Sequence, residues 1–270
     1  MMLNALPDRQ NAPVWRRWVP PALVFGLTLL AWEGLVQWYA LPPFILPAPS
    51  MVVATLIADG PLLWASLLTT LTTTALGFTL AALGGIGLAV VFSQARWIED
   101  TFYPYAIVLQ VTPIVAIAPL LLIYLPQEMA VLVCAWIVAF FPVLSNTLMG
   151  LKSVNRDLAD LFRLYGAGRL QTLRYLGLPS ALPSILSGLR IAGGLSLIGA
   201  VVAEIAAGSA GAGSGLAFRI AESGYRLNVP RMFAALALLA GAGIAIFVIL
   251  SLVSHLLLRR WHESALGKEL

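Results

Sequence analysis

Two hundred and seventy residues would ordinarily make one or two soluble domains, but 60% of them are apolar, only 10% are charged, and the mean hydropathy is +0.91. A soluble globule carries roughly 25% charged residues and could not hide this much apolar surface from water, so lipid solvates most of the chain. That excludes a disordered chain, a disulfide-stapled secreted domain and an ordinary cytosolic enzyme; Cys134 stands alone, and a net charge of +4 gains meaning only from where it lies.

A predicted tail, residues 1–18, precedes an apolar run at 19–40 that carries Glu33. Arg16 and Arg17 before this run resemble the start of a signal peptide. The run is too long for a typical signal and no small-x-small cleavage site follows, so it is expected to remain as an anchor. Leu41-Pro-Pro-Phe-Ile-Leu-Pro-Ala-Pro49 then predicts an extended external segment. No Asp, Glu, Lys or Arg occurs from Gly60 to Ala95, Thr101 to Gln127, Met129 to Leu151 or Met232 to Leu258. Each interval can hold the roughly 20 residues that cross about 30 Å of hydrocarbon at 1.5 Å per residue. Ile185–Ala207, with Arg190 and Glu204, adds a further span. The expected helices are thus about 19–40, 66–92, 105–125, 130–150, 185–207 and 232–258, within one transmembrane domain at 19–260 and ahead of a tail at 261–270. The runs lack the alternation of a membrane barrel, so the fold class is all-α, a polytopic membrane protein with six transmembrane helices.

Orientation follows from the basic residues. With both termini inside, 13 of the 16 Lys and Arg fall on the inner side; Arg219, Arg226 and Arg231 fall outside, between spans five and six. The N-terminus, the C-terminus and the 151–182 segment are therefore expected to be cytoplasmic, with 41–62 and 208–231 opposite.

That inner segment reads as a short amphipathic hairpin. Asn155 is placed to cap a helix with Asp157 and Asp160 early and Arg163 late, as the helix dipole favours. Leu158, Leu161, Phe162 and Tyr165 recur at i, i+3, i+4 and i+7 and form one apolar stripe. Gly166 and Gly168 break the helix, and a second, Arg169 to Leu176, is expected to stop at Gly177. The residues leave two readings open: an interfacial helix lying among lipid headgroups, or a ridge that fills a groove on a cytoplasmic partner.

Asp160-Leu-Phe-Arg-Leu-Tyr-Gly166-Ala167, followed by Leu178-Pro179 and then Pro183, resembles the cytoplasmic E-A-A-x-x-x-G-A loop of bacterial ATP-binding-cassette importer permeases. Ile45-Leu-Pro-Ala-Pro49, Leu76-Gly-Phe-Thr-Leu-Ala81, Thr112-Pro113-Ile-Val-Ala116-Ile-Ala-Pro119-Leu and Val202-Ala-Glu204 are similar to segments of the sulfonate, nitrate and taurine branch. Two departures stand out: Asp160, Leu161 and Phe162 replace Glu-Ala-Ala, and Ile123-Tyr124-Leu125-Pro126 replaces the W-F-G that often ends the third span. The second points to an offshoot; some relatives of this kind carry pyrimidine vitamin precursors or riboflavin. The resemblance implies a bacterial inner-membrane permease coupled through Asp160, Leu161, Phe162, Gly166, Ala167, Leu178 and Pro179 to cytoplasmic ATP-binding subunits. It also implies an external solute-binding protein and a second, identical permease copy in the lipid. ATP and Mg would sit on the partner ATPase, with no cofactor, metal or nucleic acid on this chain.

Four polar residues are candidates for the translocation pathway: Gln110, Thr112 and Asn146 in spans three and four, and Glu204 in span five. Each has a plainer reading. The first three are often glue between helices, and Glu204 at the outer end of its span would simply reach water. Pro113, Pro119 and Pro142 predict that spans three and four are kinked. The glycines of spans two and six read as close-packing sites, and Gly208–Gly215 reads as a flexible external or re-entrant segment without the Lys-Ser/Thr ending of a phosphate loop.

The expected function is that of the permease subunit of an ATP-driven importer, passing a small organic or anionic solute of sulfonate, nitrate, taurine or pyrimidine type. The alternatives are a secondary transporter, which would need its own coupling-ion site and paired repeats, or a passive membrane subunit. His255 and His262 stand apart and no H-E-x-x-H occurs, so a non-catalytic chain is expected.

Overall fold

The computed structural model describes residues 15–208 and 214–259, with side chains from residue 19 onward, and the regular structure there is entirely helical. Most of the expected tails 1–18 and 261–270, and the centre of the glycine-rich run, lie outside the described residues.

Helix α1 spans Trp15–Trp38 and so begins inside the expected tail. The non-helical segment after it runs to Ala48, within one residue of the expected Leu41–Pro49. Ala48 is extended (ψ 145°) and Pro49 opens a ten-residue helix, α2, Pro49–Ala58. Proline at the first helical position needs no N–H partner and arrives with the right φ. The next donor, Ser50 N–H, is accepted by Glu33 of α1 at 3.0 Å, while the Ser50 hydroxyl donates to the same carboxylate at 2.8 Å. A cap supplied from 17 positions away leaves no local signature.

Helix α3, Gly60–Gln94, is 35 residues long, about 52 Å at 1.5 Å per residue, and overruns the expected span at both ends. The third span is not one helix. Helix α4 (Arg96–Val111) and helix α5 (Ile114–Tyr124) meet at 96°. Pro113 has no N–H to continue the ladder and forces Thr112 into an extended conformation (ψ 123°), so the helix stops and restarts in a new direction. The expected kink is a break. Counting the bent pair as one span, the described residues contain up to six helical spans.

Helix α6, Gln127–Lys152, is the centre of the molecule and packs most extensively against α9 and α3. Its contact with α9 is backbone to backbone: a methyl group at Gly199 would lie 2.7 Å from the Cys134 carbonyl oxygen. Packing this tight substitutes for the hydrophobic drive that lipid removes. Of the glycines expected at packing sites, Gly77 and Gly85 do abut α6, whereas Gly87 and Gly241 face open space.

The hairpin follows. Helix α7 (Arg156–Leu164) and helix α8 (Arg169–Thr172) are separated by Gly166 at φ +71°. The expected stop at Gly177 does not occur. Gly177 is right-handed (φ −62°, ψ −57°) in a π-helical turn, Leu173–Gly177, that feeds without a break into helix α9, Leu178–Ala207. Arg169–Ala207 is therefore one 39-residue helical rod. Gly177 and Leu176 are buried there, with the Leu151 side chain beside Gly177, so packing overrides glycine's tendency to end a helix.

Two helices complete the described chain. Helix α10 (Leu216–Tyr225), which follows the glycine-rich run expected to be flexible, packs against α3, α9 and the last helix. Helix α11 (Val229–Leu258) begins with the Asn228 side chain accepting from Arg231 N–H. Trp32 and Phe233 meet with ring centroids 5.6 Å apart, tilted by 54°, and join α1 to α11. Both helices leave most of their apolar surface outside the packed core.

Candidate functional site

The hairpin is built by local sequence. The Asn155 side chain accepts Asp157 N–H at 2.8 Å, a cap of the kind expected. At the other end Gly166 N–H donates to Arg163 C=O (3.0 Å) and Ala167 N–H to Phe162 C=O (2.9 Å), the paired closure that a left-handed glycine permits. Asp160 pairs with Arg163 at 3.0 Å on the exposed surface.

Between the hairpin and the ends of α3 and α6 is a 630 Å³ cleft whose walls include Gln94, Ala159, Arg163 and Ala167. Since Ala159 and Arg163 face this cleft, helical geometry turns the opposite side of α7 away from the bundle. That outer side carries Leu161 (45% exposed), Leu164 (85%) and Tyr165 (83%). Phe162 is half-buried, and Leu178 and Pro179 are half-buried at the start of α9 under the hairpin. Of the seven residues expected to couple, Leu161 lies on this outer ridge, Asp160 and Gly166 are exposed beside it, and Phe162, Ala167, Leu178 and Pro179 are half-buried beneath. Leu164, the more exposed leucine, was not in the expected stripe; the turn that follows leaves it uncovered.

The break between α4 and α5 borders a second cavity, 440 Å³, lined by Gln110, Thr112, Pro113, Ile137, Pro142 and Leu195 among others. Gln110 is exposed, and the Thr112 hydroxyl donates to Val108 C=O at 2.6 Å. A broken helix within a span is tolerated where it lines a cavity or is buried in protein. Asn146 lies elsewhere: it donates to Pro142 C=O at 2.8 Å, half-buried on α6 beside Gly188 of α9.

Glu204 lies outside this cavity and does not reach water. It is 4% exposed. Thr70 of α3 donates its hydroxyl to the carboxylate (2.8 and 3.0 Å), and Ala217 N–H in the first turn of α10 donates to it at 3.0 Å. A carboxylate inside a span costs about 2.5–3.5 kcal/mol on insertion scales, which these donors and the positive end of α10 offset. The structure therefore brings Gln110 and Thr112 together and holds Asn146 and Glu204 at two other helix contacts. Sequence patterns suggested only that Glu33 pairs with a neighbour and missed Asp59 as the partner of a distant element; an acidic residue just before or within an apolar run was the available signal.

Residues 81–265 match the family described as binding-protein-dependent transport system inner membrane component, and the chain belongs to that family. It is the membrane-spanning permease subunit of an ATP-driven importer that works with ATP-binding and solute-binding partners. The riboflavin transport system permease protein RibX of Chloroflexus aurantiacus is 34% identical over 97% of this chain and 100% of its own length. The formylaminopyrimidine transport permease protein ThiX of Halalkalibacterium halodurans is 32% identical over 88% of this chain and 94% of its own length. A putative aliphatic sulfonates transport permease protein, SsuC of Bacillus subtilis, is 27% identical over 93% of this chain and 90% of its own. A crystal structure of an amino acid ABC transporter with histidines superposes with a TM-score of 0.61 over 75% of this chain and 97% of the other, at 22% identity, and shares the fold.

Proposed function

We propose that two copies of this chain enclose a pathway for a small ring-bearing solute of flavin or pyrimidine type, and that a cytoplasmic ATPase seats on the outer ridge of α7. The termini and the hairpin lie in the cytoplasm; α2 and α10 face the solute-binding protein. ATP and Mg bind the ATPase, and this chain performs no chemistry of its own. The observation that carries the reading is the uncovered ridge Leu161–Leu164–Tyr165 on a helix fixed at both ends. An interfacial helix would need only the apolar stripe. The capped start and the glycine turn additionally fix its direction, which a protein groove requires and a lipid surface does not.

The solute class is supported by two relatives aligned over most of their length, whose names carry riboflavin and formylaminopyrimidine. Gln110 supplies an amide with both a donor and an acceptor, beside the cavity at the α4–α5 break. A pyrimidine or flavin edge offers the matching alternation, whereas a sulfonate offers acceptors only.

Reconstitution with a cognate ATPase and binding protein tests the proposal. Saturable, ATP-dependent uptake of riboflavin or formylaminopyrimidine, without competition by taurine, is expected. Taurine or sulfonate uptake in their place would overturn the solute class. Uptake driven by an ion gradient without ATP would restore the secondary-transporter reading.

A further inference from the structure

Among the described residues Glu204 is the one charged side chain in the buried set. Three elements converge on it. The Thr70 hydroxyl of α3 donates a hydrogen bond to the carboxylate, and its oxygen accepts Leu216 N–H at 2.8 Å. Ala217 N–H reaches the carboxylate directly. Gly215 closes against it so tightly that a Cβ there would lie 2.0–2.2 Å from the carboxyl atoms. The contact therefore joins the outer end of α9 to α3 and to the first turn of α10, with no side chain free to intervene.

The other end of α9 is the hairpin. Arg169–Ala207 runs as one 39-residue rod, about 58 Å long at 1.5 Å per residue, from the cytoplasmic turn to three residues past Glu204. Leu176 and Gly177 are buried where a hinge would otherwise fall, so the π-helical turn is braced.

We propose that Glu204 is a positioning residue of the transport cycle: it fastens α9 to α3 and α10, so that displacement of the hairpin carries the outer helix α10 with it. This rests on the hairpin receiving the ATPase. A carboxylate suits the task because its two oxygens hold the Thr70 hydroxyl and the α10 backbone together; a side chain without an acceptor can hold neither.

The test is the ratio of uptake to ATP hydrolysed in the reconstituted complex. Glu204→Ala is expected to keep the ATPase bound and hydrolysis stimulated by binding protein, while uptake per ATP falls on the order of tenfold, the size of an ordinary coupling free energy. Glu204→Gln, whose amide oxygen can still accept Ala217 N–H, retains most of the ratio. In a Cys134→Ser background, Thr70→Cys with Leu216→Cys, oxidised to a disulfide, joins α3 to α10 but leaves α9 unfastened, and is therefore expected not to restore the ratio to Glu204→Ala. An unchanged ratio in Glu204→Ala overturns the proposal. So does a disulfide that stops uptake in the Glu204 protein, since α3 and α10 would then have to separate. If Glu204→Ala fails to assemble, Thr70→Ala is read in its place: it removes the α3 donor while Glu204 stays, and an unchanged ratio there likewise overturns the proposal. The hairpin reading fails on a different result, ATPase binding that survives Leu161→Asp with Glu204 intact.

Discussion

Arg231 grips Asp59 with two nitrogens, Nε at 2.6 Å and Nη2 at 3.1 Å, across 172 positions of sequence. The pair ties the corner between α2 and α3 to the first turn of α11. Arg219 and Arg226 both pair with Glu222, each at 2.9 Å. The three arginines that run against the basic bias are thus all engaged in ion pairs. Breaking the first pair leaves a half-buried charge uncompensated. Arg231→Gln is expected to destabilise the purified protein by about 1–2 kcal/mol, with partial recovery in the Asp59→Arg/Arg231→Asp exchange. The thermal midpoint in detergent measures it, and an additive loss in the exchanged variant would dissociate the pair from stability.

Gly166 separates backbone from packing. It stands at φ +71°, and a Cβ at this position would meet nothing within 4 Å, so substitution is costly through conformation alone. Gly166→Val is expected to cost roughly 1 kcal/mol or more and weaken ATPase association, while Gly166→Asn, which tolerates the left-handed region, retains most of it. Equal loss in both variants, read by titrated co-purification, would show that the turn's hand is unimportant.

Two glycines should answer oppositely to the same change. Gly199→Ala drives a methyl group into the Cys134 carbonyl and should loosen α6 from α9, lowering the thermal midpoint. Gly241→Ala meets open space and should be neutral or stabilising by up to about 1 kcal/mol through helix propensity.

Gln110→Leu is expected to alter uptake while leaving assembly and basal ATP hydrolysis unchanged, since the side chain is exposed at the cavity and fastens no helix contact. Loss of one amide pairing should raise the half-saturating solute concentration several-fold, by about 1 kcal/mol. An unchanged uptake curve would remove Gln110 from the pathway.

The core of the bundle was legible because α3, α6, α9 and α11 are long charge-free or nearly charge-free runs, which lipid makes self-declaring. The hairpin was legible at Asn155 and Gly166 because its cap and turn are made by neighbours in sequence. What escaped was held from a distance. Helices α2 and α10 depend on Glu33 and Glu204 of other helices, and neither segment shows a local cap of its own. For the same cause the plainer reading of Glu204, a helix end in water, failed: its burial requires Thr70 and Gly215 to arrive from elsewhere. At Gly177 the local rule for glycine lost to packing against Leu151. At Pro113 the residue announced a disruption, but its 96° turn depends on where α5 packs, against α9 and α6.

The docking of the ATPase on α7 is tested most directly by Leu161→Asp and Leu164→Asp. Each places a carboxylate on the outer ridge, where its cost in the free chain is small because both positions are exposed. In a filled groove the same charge is buried without a partner and should weaken association by about 2–4 kcal/mol. The measurement is quantitative co-purification of the ATPase with permease present at normal membrane level. Docking on this ridge requires loss of the ATPase from both variants and, with it, loss of uptake; ATPase retained at the unaltered level on either variant would contradict it.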